Sequence, residues 1–295
     1  MSVRASIKQT LDAATERLRD AGVEDPRRNA ELLLADLLGV DAGGLFLRRG
    51  TAMDPNLARR YAGWIERRAH REPFQHITGR QEFYGLSFRV DRRALIPRPE
   101  TEGLVDAVLN LSLPDHGRVV DLGTGSGCIA VALAVSRSDL GVCALDRSDE
   151  ALVLARSNAR ALGVERRIEF RRGDLADPPS EWRGSIHAVV CNPPYVSEAE
   201  WAELEPEVRD HDPREALVPG PTGLEAYRQL APAAFALLCD GGSLVLELGA
   251  GQAAEVTELS QAAGFRKMAI HPDLNGIERV LVAEKPAADH EQETR

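Results

Sequence analysis

Apolar side chains in the first part of the chain recur every three or four positions, which is the spacing of amphipathic helices. One apolar stripe contains Ile7, Leu11, Ala14 and Leu18. A second stripe runs through residues 30–38, and a third through residues 57–68. The pattern predicts a succession of helices that pack their apolar faces against one another.

Two Asp-Pro pairs mark where helices should begin. Asp25-Pro26 and Asp54-Pro55 each place a helix-capping residue before a proline, and a proline is well tolerated in the first helical turn. We therefore expect Asp25 and Asp54 to be N-caps. In the helix that follows Asp54, the aromatic side chains should pack inward and the arginines, including Arg68, should face the solvent.

The pattern changes near residue 81. Apolar positions nearly alternate from Phe83 to Val90, and the alternation breaks at Gly85, which is typical of a β-hairpin. Pro97 and Pro99 follow and restrict the backbone to extended conformations. The sequence thus predicts a hairpin and a stiff connector.

The rest of the chain alternates short apolar runs with helix-like segments. This alternation predicts a parallel β-sheet covered by helices on both faces. The last two runs have no room for a helix between them, so the last strand should be antiparallel to its neighbour. The predicted strands are residues 118–121, 142–146, 168–171, 186–191, 243–248, 267–271 and 279–284.

Composition excludes several classes of protein. The chain has 295 residues, of which 43% are hydrophobic and 28% are charged, close to the usual globular mixture. No apolar run is long enough to cross a membrane, and the first 30 residues lack the apolar centre of a signal peptide. We expect a cytoplasmic protein without membrane association. The four cysteines are far apart, so neither a disulfide framework nor a metal site is predicted.

Charge is unevenly distributed along the chain. Residues 1–96 contain 17 basic and 13 acidic side chains, a net charge of +4, and the whole chain carries −10, so the remainder carries −14. Proteins that grip nucleic-acid phosphates need clustered Lys and Arg. The acidic second part argues against direct nucleic-acid binding.

The first predicted parallel strand ends in a glycine-rich loop, Asp121-Leu-Gly-Thr-Gly-Ser-Gly127. Its glycines allow a sharp turn and a close approach to a ligand, which favours a nucleotide-like ligand over an ordinary turn. A dinucleotide fingerprint would require glycine at position 128, where this chain has Cys128. Nicotinamide cofactors are therefore disfavoured.

Two further strand ends carry aspartates. Asp146 ends the second strand and can accept hydrogen bonds from both hydroxyls of a ribose, although an exposed turn aspartate is the simpler alternative. Asp174 follows the third strand and could reach an adenine edge, although Gly-Asp turns are common. No phosphate-binding lysine follows the glycines. These features fit the adenosine of S-adenosyl-L-methionine.

The fourth strand ends in Asn192-Pro193-Pro194-Tyr195. Because prolines lack N–H groups, the carbonyl oxygens here can only accept hydrogen bonds. An amide nitrogen could donate one hydrogen to the Asn192 side-chain oxygen and one to the Pro193 carbonyl, while Tyr195 packs against the planar group. This arrangement would aim the nitrogen lone pair at a methyl donor.

These motifs are similar to those of a known family. DLGTGSG at 121–127, Asp146 and NPPY at 192–195 resemble class I S-adenosylmethionine-dependent methyltransferases, and NPPY resembles those acting on planar nitrogen. Longer motifs resemble the peptide chain release factor N5-glutamine methyltransferase family, also called HemK or PrmC. They are PFQHITG at 73–79, EFYG at 82–85, LIPRPETE at 95–102 and HDPREAL at 211–217. The likeness runs from about residue 5 to 285.

The resemblance implies a Rossmann-like seven-stranded sheet and an enzyme that methylates the glutamine of the GGQ motif in bacterial class 1 release factors. The implied domains are a helical release-factor-docking domain at 1–80, a connector at 81–100, a methyltransferase domain at 101–286 and a polar tail at 287–295. A monomer is expected. The implied cofactor-binding residues are Gly123, Thr124, Gly125, Ser126, Gly127, Asp146, Asp174 and Asn192, and the implied catalytic and substrate-binding residues are Asn192, Pro193, Pro194 and Tyr195.

Two positions depart from the usual motifs of this family, and two other functions remain open. Leu175 stands where many members have tryptophan, which puts the adenine contact in question, and Pro219–Gly223 departs from the usual loop. A DNA or RNA methyltransferase acting on adenine N6 or guanine N2 could use the same NPPY pocket, with a basic face for flanking phosphates. A non-enzymatic cofactor-binding partner of translation factors is the other alternative.

Overall fold

A computed structural model describes residues 5–287 of the chain. The chain divides into two compact units. One unit contains the residues up to Arg80 together with Glu205–His211, and the other contains Gln81–Leu204 and the residues from Asp212 onward. The predicted polar tail, apart from Ala287, lies outside the described residues.

The first unit is helical, as predicted. Its apolar core includes Leu11, Leu18, Leu33 and Leu34, none of which is exposed to solvent, and Tyr61, which donates a hydrogen bond to the Ala30 carbonyl. Its N-terminal helices are α1 (Ile7–Asp20), α2 (Pro26–Leu38), α3 (Ala42–Leu47), α4 (Pro55–Ala69) and α5 (Phe74–Thr78).

The two Asp-Pro pairs behave differently. Helices α2 and α4 begin at Pro26 and Pro55, as predicted, and the Asp54 carboxylate accepts from the backbone N–H groups of Asn56 and Leu57. The N-cap prediction for Asp25 is wrong, because Asp25 has a left-handed backbone (φ 44°) and makes no side-chain capping hydrogen bond. Instead, Pro26 fixes the start of α2 through its restricted φ.

The prediction that Arg68 faces solvent is also wrong. Arg68 is only 7% exposed, and its guanidinium donates to Asn29 Oδ1 at 2.9 Å and to Glu207 Oε1 at 2.8 Å. Glu207 is 139 residues away in the sequence, so helix periodicity could not reveal this partner. Burial of an arginine is tolerated here because its donors find acceptors.

The segment Glu205–His211 contributes this carboxylate to the helical unit. It contains the short helix α10 (Pro206–Arg209), and Glu207 also accepts from Arg71 at 2.7 Å. Although burial opposes ionisation, the hydrogen bonds from Arg71 and Arg68 lower the pKa of Glu207 below its ordinary value. One ionised carboxylate therefore serves two arginines of the helical unit.

A β-hairpin follows the helical unit, as predicted. Strands β1 (Arg80–Phe83) and β2 (Leu86–Arg89) are joined by Tyr84 and Gly85, whose φ angles are 52° and 69°. Two consecutive positive φ angles give the tight turn that suits a two-residue hairpin. Phe83 and Phe88 pack edge to face, with ring centroids 6.0 Å apart.

The second unit contains the predicted α/β sheet. Among residues 5–287, seven strands form this sheet in the order β5-β4-β3-β6-β7-β9-β8, and β9 alone of the seven runs antiparallel to the others. The strands are β3 (Arg118–Leu122), β4 (Gly141–Asp146), β5 (Ile168–Arg172), β6 (Ile186–Cys191), β7 (Leu238–Glu247), β8 (Arg266–Pro272) and β9 (Glu278–Glu284).

Helices cover both faces of the sheet because successive strand residues point to opposite faces. Val119 and Val190 belong to one buried cluster, whereas their neighbours Val120 and Val189 belong to the other. The first cluster includes residues of α6 (Glu102–Leu109), α7 (Cys128–Ser136) and α8 (Asp149–Ala161), and the second includes residues of α11 (Glu225–Leu237) and α12 (Ala253–Ala262). The short helix α9 spans Glu198–Glu203.

Replacing Glu207 with alanine should destabilise the helical unit. The substitution leaves Arg68 buried without a counter-charge, and we expect a loss of about 3 kcal/mol in the free energy of unfolding. Denaturation followed by circular dichroism measures this loss. Glu66→Ala is the matched control, because the Arg17–Glu66 pair is largely solvent-exposed and should contribute little. Equal losses in the two variants would contradict the role assigned to Glu207.

Candidate active site

A cavity of about 300 Å³ lies at the carboxyl ends of the parallel strands. The loops after β3, β4, β5 and β6 all contribute to its lining. The strand order reverses at the pairing of β3 with β6, and open α/β sheets bind ligands in the crevice at such a point. The predicted glycine-rich loop and the NPPY motif therefore meet in one cavity.

The glycine-rich loop lines the cavity with its backbone. The N–H groups of Gly123 and Thr124 both donate to the Leu145 carbonyl, at 2.8 and 2.9 Å, which ties the loop to β4. Gly123 has φ 74°, and a Cβ at this position would meet no atom within 4 Å. A ligand can thus approach the backbone closely at Gly123. Gly125 and Ser126 also line the cavity.

Gly127 has a different task from the other loop residues. It is not part of the cavity lining, and its φ is 82°. A Cβ on Gly127 would lie 2.9 Å from the Cβ of Ala155 on α8, closer than real Cβ atoms approach. Glycine here allows the loop to pack against α8.

The buried Asp121 carboxylate holds the glycine-rich loop in place through hydrogen bonds. Its side chain is fully buried, and its Oδ2 accepts from the Thr124 hydroxyl at 2.6 Å and from the Ala130 N–H at 3.2 Å. Its Oδ1 has no hydrogen-bond partner among the described residues. Burial raises the pKa of Asp121 to about 7.

Asp146 lines the cavity at the end of β4. Its Oδ2 accepts from the Gly125 N–H at 2.8 Å, and its Oδ1 accepts from the Ser148 N–H at 2.9 Å. Each carboxylate oxygen has a further lone pair. Asp146 can therefore position the glycine-rich loop and still accept hydrogen bonds from a ligand.

The turn after β5 contributes Gly173, Asp174 and Leu175 to the cavity. A Cβ at Gly173 would lie 2.8 Å from a methyl group of Leu145, so this glycine permits close packing. Asp174 Oδ1 accepts from the Ala176 N–H at 2.9 Å. An apolar and an acidic side chain thus stand side by side at this end of the cavity.

The NPPY motif is divided between the cavity and the core. Asn192, Pro193 and Pro194 line the cavity, whereas Tyr195 packs against the second core cluster. The Tyr195 hydroxyl donates to Glu247 Oε1 at 3.1 Å. Tyr195 therefore contacts a buried carboxylate instead of the cavity space.

A chain of hydrogen bonds orients the Asn192 amide. Asn192 Nδ2 donates to Thr101 Oγ1 at 3.1 Å, and the Thr101 hydroxyl donates to Glu247 Oε2 at 2.6 Å. The amide NH₂ is thereby held by Thr101, and within residues 5–287 no group donates to Asn192 Oδ1. This oxygen is left to accept a hydrogen bond from a ligand.

Thr101 and Glu247 are site residues that the sequence analysis missed. Thr101 is 2% exposed and Glu247 is 1% exposed, and burial raises the pKa of Glu247 to about 7. One signal was present in the sequence, because Glu247 is an acidic residue inside the apolar run 243–248. A buried acid at the end of a strand is a frequent mark of a functional site.

The proline-rich connector forms one wall of the cavity, through residues 93–98. Arg98 donates to Asp212 Oδ2 at 2.7 Å, and the Asp212 side chain is inaccessible to solvent. Burial raises the pKa of Asp212 to about 6, although Arg98 acts in the opposite direction. This pair holds the connector beside residues 213–219, which line the cavity from another side.

Family models match two parts of the chain. Residues 9–79 match the PrmC N-terminal domain, and residues 101–205 match the methyltransferase small domain. The first match covers most of the N-terminal helices, and the second contains the glycine-rich loop and the NPPY motif.

Full-length relatives are similar over nearly the whole chain. A release factor glutamine methyltransferase from Cereibacter sphaeroides is 43% identical over 279 residues, which cover 94% of this chain and 98% of the relative. One of the same name from Koribacter versatilis is 40% identical over 284 residues, covering 96% and 100% of the two chains.

Solved structures share the fold. The crystal structure of a possible exported protein from Bordetella parapertussis superposes with a TM-score of 0.50 at 16% identity and covers 96% of this chain and 98% of its own. A likeness at this identity concerns the fold alone.

No helix among the described residues has the length and apolar character needed to cross a bilayer.

Replacing Gly127 with alanine should destabilise the second unit. The left-handed backbone and the overlap with Ala155 together should cost about 2 kcal/mol or more in the free energy of unfolding. Gly141→Ala is a suitable control, because a Cβ there meets Arg118 Cγ at an ordinary 3.6 Å. Denaturant titration of both variants checks the prediction, and wild-type stability of Gly127→Ala would refute it.

Proposed function

This chain belongs to the release factor glutamine methyltransferase family, and from this membership we propose that it methylates the side-chain amide nitrogen, N5, of the GGQ-motif glutamine in bacterial class 1 peptide chain release factors. We propose S-adenosyl-L-methionine as the methyl donor. Both parts of the reaction are assigned to the cavity at the carboxyl ends of β3 and β6.

The observation that carries the proposal is the orientation of Asn192 in the same cavity as the glycine-rich loop. Thr101 holds the amide NH₂ of Asn192, so the Oδ1 atom is left as an acceptor. The Pro193 carbonyl is a second acceptor, since no described donor bonds to it. Two acceptors match the two hydrogens of a carboxamide NH₂.

Holding both hydrogens addresses the main difficulty of the reaction. An amide nitrogen is a poor nucleophile because its lone pair is delocalised. Asn192 and Pro193 would fix the nitrogen so that one face points at the methyl donor, and their oxygens stabilise the positive charge that develops on nitrogen. Tyr195 would support this arrangement indirectly, through Glu247.

The residues at the other end of the cavity fit the proposed cofactor. When bound, S-adenosyl-L-methionine supplies an electrophilic methyl group on a positively charged sulfur. The exposed backbone at Gly123 to Ser126 permits close contact, and Asp146 has lone pairs for ribose hydroxyls. Asp174 and Leu175 would bind the adenine by an edge contact and an apolar contact. Carboxylates near the cavity favour a cationic ligand.

We propose that the helical unit docks the release factor outside its GGQ loop. The basic balance of residues 1–96 supports a charged protein surface as partner. Phe46 is 62% exposed and Leu47 is 84% exposed at the end of α3, so two neighbouring apolar side chains are available for contact with a protein partner. Family membership favours this protein substrate over the nucleic-acid amino groups considered above.

Mass spectrometry of a purified class 1 release factor tests the function. After incubation with the enzyme and S-adenosyl-L-methionine, we expect one added methyl on the GGQ peptide. Asn192→Ala should lower the methylation rate by roughly a hundredfold or more, because the variant loses an acceptor that acts on the reacting nitrogen. Its affinity for the cofactor should change little.

Asn110→Ala, at an exposed helix end, is the matched control for this experiment and should retain the wild-type rate. Unmodified release factor after incubation with active wild-type enzyme would overturn the proposed function. Full activity of Asn192→Ala would overturn the role assigned to Asn192. A preference for intact release factor over a short GGQ peptide is expected if the helical unit contributes binding.

Asp146→Ala should weaken binding of S-adenosyl-L-methionine by roughly tenfold to a hundredfold while the fold stays intact. The variant loses the ribose acceptor and the hydrogen bond that holds Gly125. Isothermal titration calorimetry measures the affinity. Asp139→Ala removes an aspartate just before the opposite end of β4 and serves as control. Wild-type affinity of Asp146→Ala would exclude the assigned contact.

A further inference from the structure

We propose that Glu247 is a positioning residue whose ionised carboxylate, acting through the Thr101 hydroxyl, holds the Asn192 amide with its oxygen available to the substrate. This inference rests on the proposed function and assigns a task to two residues that the NPPY motif does not contain. Neither residue is part of the cavity-lining tip of β6, since Thr101 ends the short 3₁₀ helix Pro99–Thr101 and Glu247 ends β7.

The contacts form one continuous path. Asn192 Nδ2 lies 3.1 Å from Thr101 Oγ1, and Thr101 Oγ1 lies 2.6 Å from Glu247 Oε2. Thr101 and Glu247 are 2% and 1% exposed, so bulk water does not compete for these groups. The 2.6 Å separation is typical of a hydroxyl that donates to a carboxylate.

The direction of this path follows from the number of hydrogens. An ionised carboxylate can only accept, so Thr101 must use its single hydrogen to donate to Glu247. The oxygen of Thr101 can then only accept from Asn192. The NH₂ group of Asn192 must therefore face Thr101, and the amide oxygen must face the other way.

A protonated Glu247 would remove this constraint. Its O–H could donate to Thr101, whose own hydrogen would become free to donate to Asn192. Either end of the Asn192 amide could then face Thr101. In the reversed orientation the NH₂ group would meet the substrate NH₂, and two donors cannot bind each other.

The groups around Glu247 determine how readily it ionises. Burial acts against the charge, Thr101 and Tyr195 favour it by donating hydrogen bonds, Arg279 favours it, and Glu100 opposes it. Arg279 is itself held by Asp273 and by the Leu248 carbonyl. Buried Cys128, Cys191 and Tyr227 also interact electrostatically with Glu247. Since burial raises the pKa of Glu247 to about 7, both protonation states are populated near neutrality.

The experiment measures kcat and KM for methylation of intact release factor from pH 6 to pH 8, with saturating cofactor. For the wild type we expect kcat to rise with pH, with a midpoint near 7, because the ionised form imposes the productive orientation. Glu247→Gln cannot ionise, so its kcat should be at least about tenfold lower and independent of pH in this range.

Thr101 variants test the path itself. Thr101→Val removes the hydroxyl and should lower kcat by about tenfold or more, with KM for release factor and affinity for cofactor close to wild type. Thr101→Ser keeps the hydroxyl and should restore most of the rate. A purely structural role for Thr101 would not produce this selective loss in kcat together with rescue by serine.

Tyr227→Phe is the matched control. The Tyr227 hydroxyl is fully buried and donates to the Glu247 backbone carbonyl at 2.8 Å without touching the carboxylate. This variant loses a buried hydrogen bond next to Glu247 but should keep the wild-type kcat and pH profile. Thermal unfolding of every variant identifies those that fail to fold, and the wild-type and Glu247→Gln profiles test the inference even if Thr101→Val does not fold.

The outcomes separate this inference from the proposed function. If the wild type methylates release factor while Glu247→Gln keeps both the wild-type kcat and its pH dependence, the inference is overturned and the proposed function stands. The same holds if Thr101→Val keeps the wild-type kcat. If the wild type methylates no release factor at any pH, the proposed function itself has failed.

Discussion

The parallel pairing of β3 with β6 is the constraint on which the rest of the site depends. Asp121 pairs with Val190, so the loop that follows β3 and the NPPY motif that follows β6 leave the sheet side by side. The two segments are about 70 residues apart in sequence, yet the register alone fixes their separation at one strand spacing. The conformation of each loop is then set by its own residues. Glycines with a left-handed backbone shape the loop after β3, and two consecutive prolines shape the loop after β6.

The site places acidic groups where a sheet would otherwise be apolar. Asp121, Asp212 and Glu247 are all buried, and burial raises the pKa of each above its ordinary value, to about 7, 6 and 7. A carboxyl whose folded-state pKa is raised contributes stability that is fully present below its unfolded pKa and is lost as the pH rises through the folded value. These groups therefore favour folding most below the pKa of an unfolded carboxyl, about 4, and less as the pH rises toward 7. The orientation of Asn192, in contrast, requires ionised Glu247. Near neutrality, the ionised form of Glu247 therefore lowers the stability of the fold but fixes the orientation of the Asn192 amide.

Local sequence patterns predicted much of this fold and part of the site. Strands β3 to β9, the hairpin and the starts of α2 and α4 follow from periodicity, glycine and proline, which act over a few residues. The glycine-rich loop, Asp146 and Asn192 to Pro194 meet in one cavity, as expected from strand ends. Thr101 and Glu247 escaped prediction because they lie 146 residues apart and form a site only through tertiary contact. The burial of Arg68 could not be predicted for the same reason. The backbone of Asp25 shows that a residue type that often caps helices does not always adopt the capping conformation.

Because Glu205–His211 belongs to the helical unit, a single cut in the chain cannot separate the two units. The chain leaves the α/β unit after α9, contributes Glu207 to the helices, and returns to pair Asp212 with Arg98. Neither unit is a continuous stretch of polypeptide, so cutting the gene at the hairpin does not yield two whole modules. If two homologues exchanged their N-terminal segments, the arginines of one homologue would have to pair with the Glu207 carboxylate of the other. The two parts should therefore evolve as a single recombination block.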